Sequence, residues 1–520
     1  TQWDKDGVQD AGLIKIDLLS LGMLSLLDEA TALIEARTGR RPDLAALPLD
    51  DPAVYDQICR ADTIGVFQIE SRAQQQSLPR TRPRCFTDLI AQVAIIRPGP
   101  LQGNMVHPYV RRKRGEEPVR YPHPRLVPVL EETLGVILYQ EQCLRVAIEI
   151  AGFSAAEADA LRRALSRKRS RAALEALRER FVAGAVRQGI AAATAQQVFD
   201  LLRGFAAYGF CKSHAAAFAL LTYQSAWLRC YYPAEFYAAL LNNQPMGFYS
   251  PEVIVNEARR RGVPILPIDI NRSRTRCTVE PVREQGRVRW GVRLGWRYVR
   301  GLGPAALARL EAERAAGPFR SLADCCRRSE LPRAALENLI LVGAFDCFGL
   351  PRRALLWQLG LLLPPRGAQA PLPLPTEQDL VALPPLTAAE ELQADYALSG
   401  LSPRHHPLGL LRPRLPRWVV DSTTVGHLRA GARTWLAGMV VCRQRPPTAK
   451  GVLFLTLEDE RGLANVIVWP TVYARDRRTL TTEGLVLIEG RVQRRDGVVN
   501  LLAERVWPLR AAWLAPARSR

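Results

Sequence analysis

At 520 residues the chain exceeds what one hydrophobic core supports, which implies roughly three or four domains. Its 48% hydrophobic and 23% charged residues exclude a disordered chain, and with no apolar run of about 18 residues and no signal-peptide layout, neither membrane insertion nor secretion is expected. A net charge of +20 favours a polyanionic partner, nucleic acid first, with a GC-rich genome as the competing source of the arginines.

The opening, TQWDKDG, lacks Met and reads as a piece of a longer protein. A short strand is predicted over Leu13–Leu18 with Asp17 inside it, and SLLDEATALIEARTG has the spacing of an amphipathic helix closed by Gly39. Residues 51–245 read as mostly helical. Within them an apolar stretch stops at Arg97-Pro98-Gly99-Pro100, a polar loop follows, and Arg111, Arg112, Lys113 and Arg114 form a basic run. Ser154, with Glu157 after it, is a capping box for the helices of FSAAEADALRRALSRKRSRAALEALRERFVAGAVRQG. SHAAAFALLTYQSAWLRCYYPAEFYAALLNN is an apolar helical pair broken at Pro233, with Ser213 as a candidate cap. Residues 251–300 mix a helix with short strands, 301–347 read as small helices with glycine turns, and 362–386 form a Pro-rich linker. Over 434–509, five strand-like runs with helix-like ARDRRTL between the third and fourth predict a small closed barrel of OB type.

Several residue patterns carry chemistry. An ionised carboxylate in an apolar strand is costly to bury alone, so Asp17 either holds a divalent ion beside Lys15 or caps the following helix. Arg162, Arg163, Arg167, Lys168, Arg169 and Arg171 crowd six cations onto about three helical turns without neighbouring acids, as an anion site or a solvated face. Lys212, Ser213 and His214, with Tyr208 just before, open an apolar helix. Its free N–H groups make an anion site, or Ser213 is an ordinary cap and His214 a core residue. Gly301 and Gly303 form a turn between helices that can present N–H groups to a phosphate. On the barrel, Trp435, Phe454, Trp469 and Tyr473, with Arg443, Arg445 and Lys450, are candidates for stacking single-stranded template. One or two of the aromatics are expected to stack, and the alternative is a barrel that only packs on the preceding domain. QLGLLL, Gln358 to Leu363, could be a clamp ligand but reads better as a packed helix. Ten dispersed cysteines without a Cys-x-x-Cys pair argue against zinc and for a reducing cytoplasm.

Taken in order, WDKD, IKIDLLSLGML, GVFQIESR, RPGPLQGNMVHPYVRRKRG, LGVILYQEQ, AGFSAAEADALRRALS, YGFCKSHAAAFALLTYQSAWL, YYPAEFYAALLN and VRGLG resemble blocks of the C-family bacterial DNA polymerases, the polymerase III α-subunit family. ESRAQQQSLPR, MVHPYVRR, LLNNQPMGFYSP and ANVIVWP are most like the error-prone branch, whereas CKSHA is closer to the replicative pattern. The resemblance implies a multidomain α+β fold of mainly helical fingers, a helix-hairpin-helix region and an OB barrel. It divides the chain into the end of a palm domain (1–45), fingers (46–270), a helix-hairpin-helix DNA- and clamp-proximal region (271–361), a linker with short helices (362–430), the OB domain (431–510) and a basic tail (511–520).

The activity it implies is DNA-directed nucleotidyl transfer with Mg2+ in a two-metal site. Asp17 matches the third of three palm carboxylates, and the upstream Asp-x-Asp pair and the PHP-type domain have no counterpart here. The implied nucleotide site is Arg162, Arg163, Tyr208, Lys212, Ser213 and His214, with Lys15 beside Asp17. The implied DNA contacts are Arg97, Arg111, Arg112, Lys113, Arg114, Arg167, Lys168, Gly301, Gly303, Trp435, Phe454 and Arg443. Implied partners are primer-template DNA, dNTPs, a sliding clamp and translesion accessory proteins, in the cytoplasm and without a membrane. By itself the chain is expected to bind DNA but not to extend primers. The alternatives are a replicative α subunit and a non-catalytic DNA-binding module.

Overall fold

A computed structural model describes residues 3, 7–8, 11–14, 21–96, 106–166, 171–206, 210–363, 381–446, 449–495 and 497–510. Lys15, Asp17, Arg97, Arg167, Lys168 and Tyr208 lie outside them, as does most of the strand expected at Leu13–Leu18.

Helix α1 (Gly22–Thr38) ends on Gly39, which adopts a φ of +73° and donates its N–H to the Glu35 carbonyl at 2.8 Å. That conformation carries no steric penalty for glycine, so the stop is local. Helices α2 (Pro52–Cys59), α3 (Arg72–Thr81), α4 (Phe86–Ile95) and α5 (Val106–Lys113) follow. The basic run thus belongs to a helix and the turn after it, where the sequence suggested the end of a loop. α6 (Gln140–Ala151), α7 (Ala155–Ser166), α8 (Arg171–Arg187) and α9 (Ala192–Ala206) share a second core of Val146, Ile150, Phe181, Val198 and Phe199. The Ser154 box is present: Glu157 accepts the Ser154 N–H at 2.9 Å, and Ser154 Oγ accepts the Glu157 N–H at 3.3 Å.

The apolar pair is α10 (Lys212–Tyr231) and α11 (Pro233–Asn242), broken where Pro233 removes an N–H and clashes with the preceding turn. α10 packs with α2, α4 and α5 around Tyr55, Leu89, Tyr109 and Tyr223. α11 packs against α1 and α12 (Pro251–Arg260), in a core that continues into the next region. That region holds a small sheet of order β1 (Ile265–Leu266), β3 (Arg287–Arg293), β2 (Thr278–Glu284), then α13 (Pro304–Ala315), α14 (Leu322–Ser329), α15 (Arg333–Leu341) and α16 (Arg352–Leu362). Gln358 and Leu359 are buried in α16, as the packed-helix reading anticipated.

After α17 (Ala388–Ser399), the chain pairs β4 (Val419–Val420) with β5 (Arg433–Gln444) and enters the barrel. β5, β6 (Leu453–Glu458), β7 (Leu463–Val468), β9 (Val498–Pro508) and β8 (Leu485–Arg495) pair in that order, and β8 closes back on β5. β4 joins β5 in parallel, and among the five barrel strands β7 and β9 also run parallel, through Val466↔Leu501; α18 (Pro470–Thr482) fills the connection between β7 and β8. Leu436, Leu455, Val466, Ile488 and Leu501 fill the interior. The alternation read over 434–509 therefore produced the closed five-strand barrel it predicted, with the helix between the third and fourth strands.

Candidate nucleotide and nucleic-acid sites

The four cations of the basic run each have an intramolecular carboxylate. Arg111 and Arg112 both reach Glu117, at 2.8 and 3.2 Å, Lys113 pairs with Asp88, and Arg114 pairs with Glu116 at 2.8 Å. Arg112 also donates to the Leu134 carbonyl at 2.7 Å. The hydrogen bond from Arg111 and that from Arg112 hold the Glu117 carboxyl below its ordinary range. The run is thus neutralised locally rather than left open. Arg111 and Arg114 remain at the surface, where solvent screens such pairs and holds them only weakly.

On α7, Arg162 and Arg163 converge on one acid, Asp159, with Nε–O distances of 3.0 and 2.7 Å. This corrects the expectation of a run without neighbouring acids, since residues three and four apart on a helix meet. Asp159 balances one of the two charges. Arg162 is half-buried and also approaches Gln140 Oε1 at 3.5 Å, whereas Arg163 stands in solvent.

Gln140 leads to the second group. Its neighbour Glu141 receives the Lys212 N–H at the start of α10, at 3.1 and 3.0 Å from its two oxygens. Ser213 does not cap the helix, because it lies one residue inside it, with its Oγ 2.9 Å from Cys211 Sγ. A carboxylate at the positive end of a helix dipole makes a stronger bond than a neutral hydroxyl, and Glu141 takes that place. Lys212 Nζ pairs with Glu132 at 2.6 Å, and His214 packs between Phe210 and Phe218, at 5.1 and 4.0 Å between ring centroids. The fold therefore gathers Arg162, Lys212, Ser213 and His214 around the N-termini of α6 and α10. Glu141 was missed by sequence reasoning, although YQEQ at a helix start was the available signal.

Gly301 has a φ of +87° and Gly303 opens α13 without a side-chain cap, so the turn has the form expected of a helical hairpin. A cavity of about 360 Å3 between α1, α3 and α11 is lined by Met23, Phe67, Glu70, Leu240 and Met246, and also by Leu21 and Ile96. Glu70 accepts the Gly65 and Phe248 N–H groups at 2.9 and 2.6 Å, and burial pushes its carboxyl up to about 7.

The barrel docks on the helical part through Arg72, a residue the sequence gave no reason to single out. Its Nη1 donates to the Leu455 and Val466 carbonyls at 2.7 and 3.1 Å, and its guanidinium covers the Phe454 ring at 4.9 Å. Burial lowers the Arg72 pKa to about 10. Gln76 bonds Asn500 at 3.0 Å, and Arg260 of α12 pairs with the buried Glu458 at 2.8 Å. Two expected DNA contacts are thus engaged within the protein: Phe454 lies under Arg72, and Arg443 donates to the Leu480 and Glu483 carbonyls at the end of α18. Trp435 stacks on Trp507, Tyr473 lies under Arg445 at 4.4 Å, and Trp469 and Lys450 are exposed. None of the helices among the described residues is long and apolar enough to cross a membrane.

Helical fingers, a helical hairpin and a closed barrel define a protein assembled from nucleic-acid-handling modules. The family model for the bacterial DNA polymerase III α-subunit finger domain matches residues 23–189, a helix-hairpin-helix motif matches 262–355, and an OB-fold nucleic acid binding domain matches 434–509. An error-prone DNA polymerase of Methylococcus capsulatus is 45% identical over 525 residues, covering 97% of this chain and 50% of that protein. One from Anaeromyxobacter sp. (strain K) is 46% identical over 533 residues, covering 100% and 47% respectively. Error-prone DNA polymerase 1 of Agrobacterium fabrum is 45% identical over 528 residues, covering 98% and 48%. The chain belongs to the C family of bacterial DNA polymerases and is most like its error-prone branch. It spans about half the length of the curated relatives it matches.

Proposed function

We propose that the chain supplies the fingers, helix-hairpin-helix region and OB barrel of a template-directed DNA polymerase that adds dNTPs to a primer 3′-hydroxyl during error-prone synthesis past DNA damage in the cytoplasm. The observation that carries this reading is 45% identity over 525 residues with a protein named error-prone DNA polymerase. Nucleotidyl transfer of this kind uses divalent cations to activate the attacking hydroxyl and neutralise the leaving pyrophosphate. Asp17 is the residue that would ligate one. Among the described residues no group of three His, Cys, Asp or Glu side chains could hold a metal ion, so those residues do not fit a two-metal site by themselves.

In this reading Arg162, Arg163, Lys212, Ser213 and His214 receive the triphosphate. Its phosphates would compete with Asp159, Glu141 and Glu132 for these donors, exchanging one anion for another at little desolvation cost. Arg111, Arg114 and the Gly301–Gly303 turn would contact DNA phosphates, which position the duplex without reading it.

The 520-residue chain is expected to bind primer-template DNA with a Kd that rises steeply with salt, because each phosphate contact releases counterions. Titration by fluorescence anisotropy at several salt concentrations measures this, and a Kd indifferent to salt would reject the DNA contacts. In a polymerase of the relatives' full length, Arg163→Ala is expected to lower kcat/KM for dNTP about ten- to hundredfold, the value of one lost charge-assisted hydrogen bond. DNA affinity should change less than about threefold, since other cations supply the phosphate contacts. An equal loss of both would reassign Arg163 to the template.

A further inference from the structure

OB barrels commonly bind oligonucleotides on the face of their second and third strands and the neighbouring loops. Here that face is β6 and β7, and α3 covers it: Arg72 bonds both strands, Gln76 bonds Asn500 of β9, and a Cβ on Gly497 in the β8–β9 turn would lie 3.6 Å from Pro79. The outer face of β5, β8 and β9 has a different surface. Alternation sends Leu436, Ile488 and Val506 into the barrel and Trp435, Leu487 and Trp507 outward, where Leu408, Leu415 and Val419 bury Leu487 and Ala437 and cover part of Trp435. The Trp435 and Trp507 rings lie 4.9 Å apart at 17°, close to parallel. Trp418 meets Trp435 edge-on at 4.9 Å and 66°, and 48% of it is exposed. The Arg505 guanidinium lies over Trp507 at 4.9 Å.

Charge on this face is positive. Glu489 is paired with Arg433 at 2.6 Å, Glu504 with Arg433 and Arg491 at 3.2 and 2.7 Å, and Asp476 with Arg475 at 2.7 Å. Exposed Arg417, Arg505 and Arg510 add to that balance. Flat aromatic faces beside cations suit a single strand, whose bases stack on any π surface while its phosphates meet arginines. The other half-exposed indole at the barrel, Trp469, is 50% exposed and has only Tyr473, under Arg445 at 4.4 Å, one turn on, whereas Trp418 continues into two further indoles.

We propose that the Trp418–Trp435–Trp507 ladder, with Arg505, is where the barrel stacks the bases of a single nucleic-acid strand, in place of the β6–β7 face that α3 occupies. This rests on reading the barrel as a template-binding domain and assigns the face that does it.

The test uses the whole chain and a fluorescein-labelled thymidine oligonucleotide of about 16 residues, read by anisotropy at low salt. Trp418→Ala is expected to weaken binding roughly 5- to 100-fold, the loss of one stacked base. Trp418→Phe should restore most of the affinity, since a phenyl ring still stacks. Arg505→Gln should lower the slope of log Kd against log salt by about one phosphate contact. Trp469→Ala should change Kd less than about twofold, because in this proposal that ring meets no base. Unchanged binding in both Trp418→Ala and Arg505→Gln overturns the ladder, as does a loss confined to Trp469→Ala, and the template-binding reading survives either result. If the unsubstituted chain shows no salt-sensitive affinity for the oligonucleotide, that reading and the ladder fall together, and the indoles serve a protein partner.

Discussion

Asp17→Asn, placed in a polymerase of the relatives' full length, is expected to cut primer extension at least about a thousandfold. The family resemblance puts this residue at a metal-binding carboxylate. An amide keeps the shape but loses the charge, and with it several kcal/mol of transition-state stabilisation. Binding of primer-template should stay within about twofold, because DNA affinity comes from cations elsewhere on the surface. Extension of a labelled primer and anisotropy of the same DNA separate the two effects. A variant that keeps its extension rate and loses only about 1 kcal/mol of stability would show that Asp17 is a helix cap.

Arg229→Ala is expected to destabilise the chain by about 3 kcal/mol, the lower end of what breaking a buried ion pair costs. Arg229 is fully buried and bonds Asp62 and Glu257 at 2.7 and 2.8 Å, as well as the Asp62 carbonyl at 2.6 Å and Tyr237 Oη at 3.2 Å. Removing it takes the central cation from the nearly buried Glu257 and the partly exposed Asp62. The lower end applies because Arg260 and Arg261 also reach Glu257, at 3.1 and 3.5 Å, and Arg261 reaches Asp62. Arg229→Met refills the volume but supplies neither the charge nor the hydrogen bonds to Asp62 and Glu257, so it should recover little. Urea denaturation followed by circular dichroism measures the difference, and a loss under about 1 kcal/mol would show that Arg260 and Arg261 suffice. Glu257 directly follows Asn256, which bonds Glu458 of the barrel at 3.1 Å, so the midpoint of barrel release should fall as well.

Much of the fold was legible in short stretches. The stop at Gly39, the Ser154–Glu157 box, the break at Pro233 and the five alternating strands each depend on backbone conformation or side-chain period within a few residues. The family blocks were legible for the same reason, as strings of adjacent residues. Asp159, four residues from Arg163, lay within reach of helical spacing, yet the reading of the run passed over it and the structure supplied it.

The assignment of charges to partners was a different matter. Glu141 caps a helix 71 residues away, Lys113 finds Asp88 on another helix, and Arg72 bonds a barrel strand 383 residues on. Nor does the sequence order show that Trp418, Trp435 and Trp507 form one ladder, or that α3 covers the barrel's β6–β7 face. By itself the sequence determined the elements, their order and the family, because these rest on local conformational preference. Which acid each cation meets, and which face of the barrel α3 covers, was decided by tertiary packing. A buried or half-buried charge takes whichever opposite charge or carbonyl the fold brings within about 3 Å, and sequence spacing carries no record of that approach beyond one helical turn.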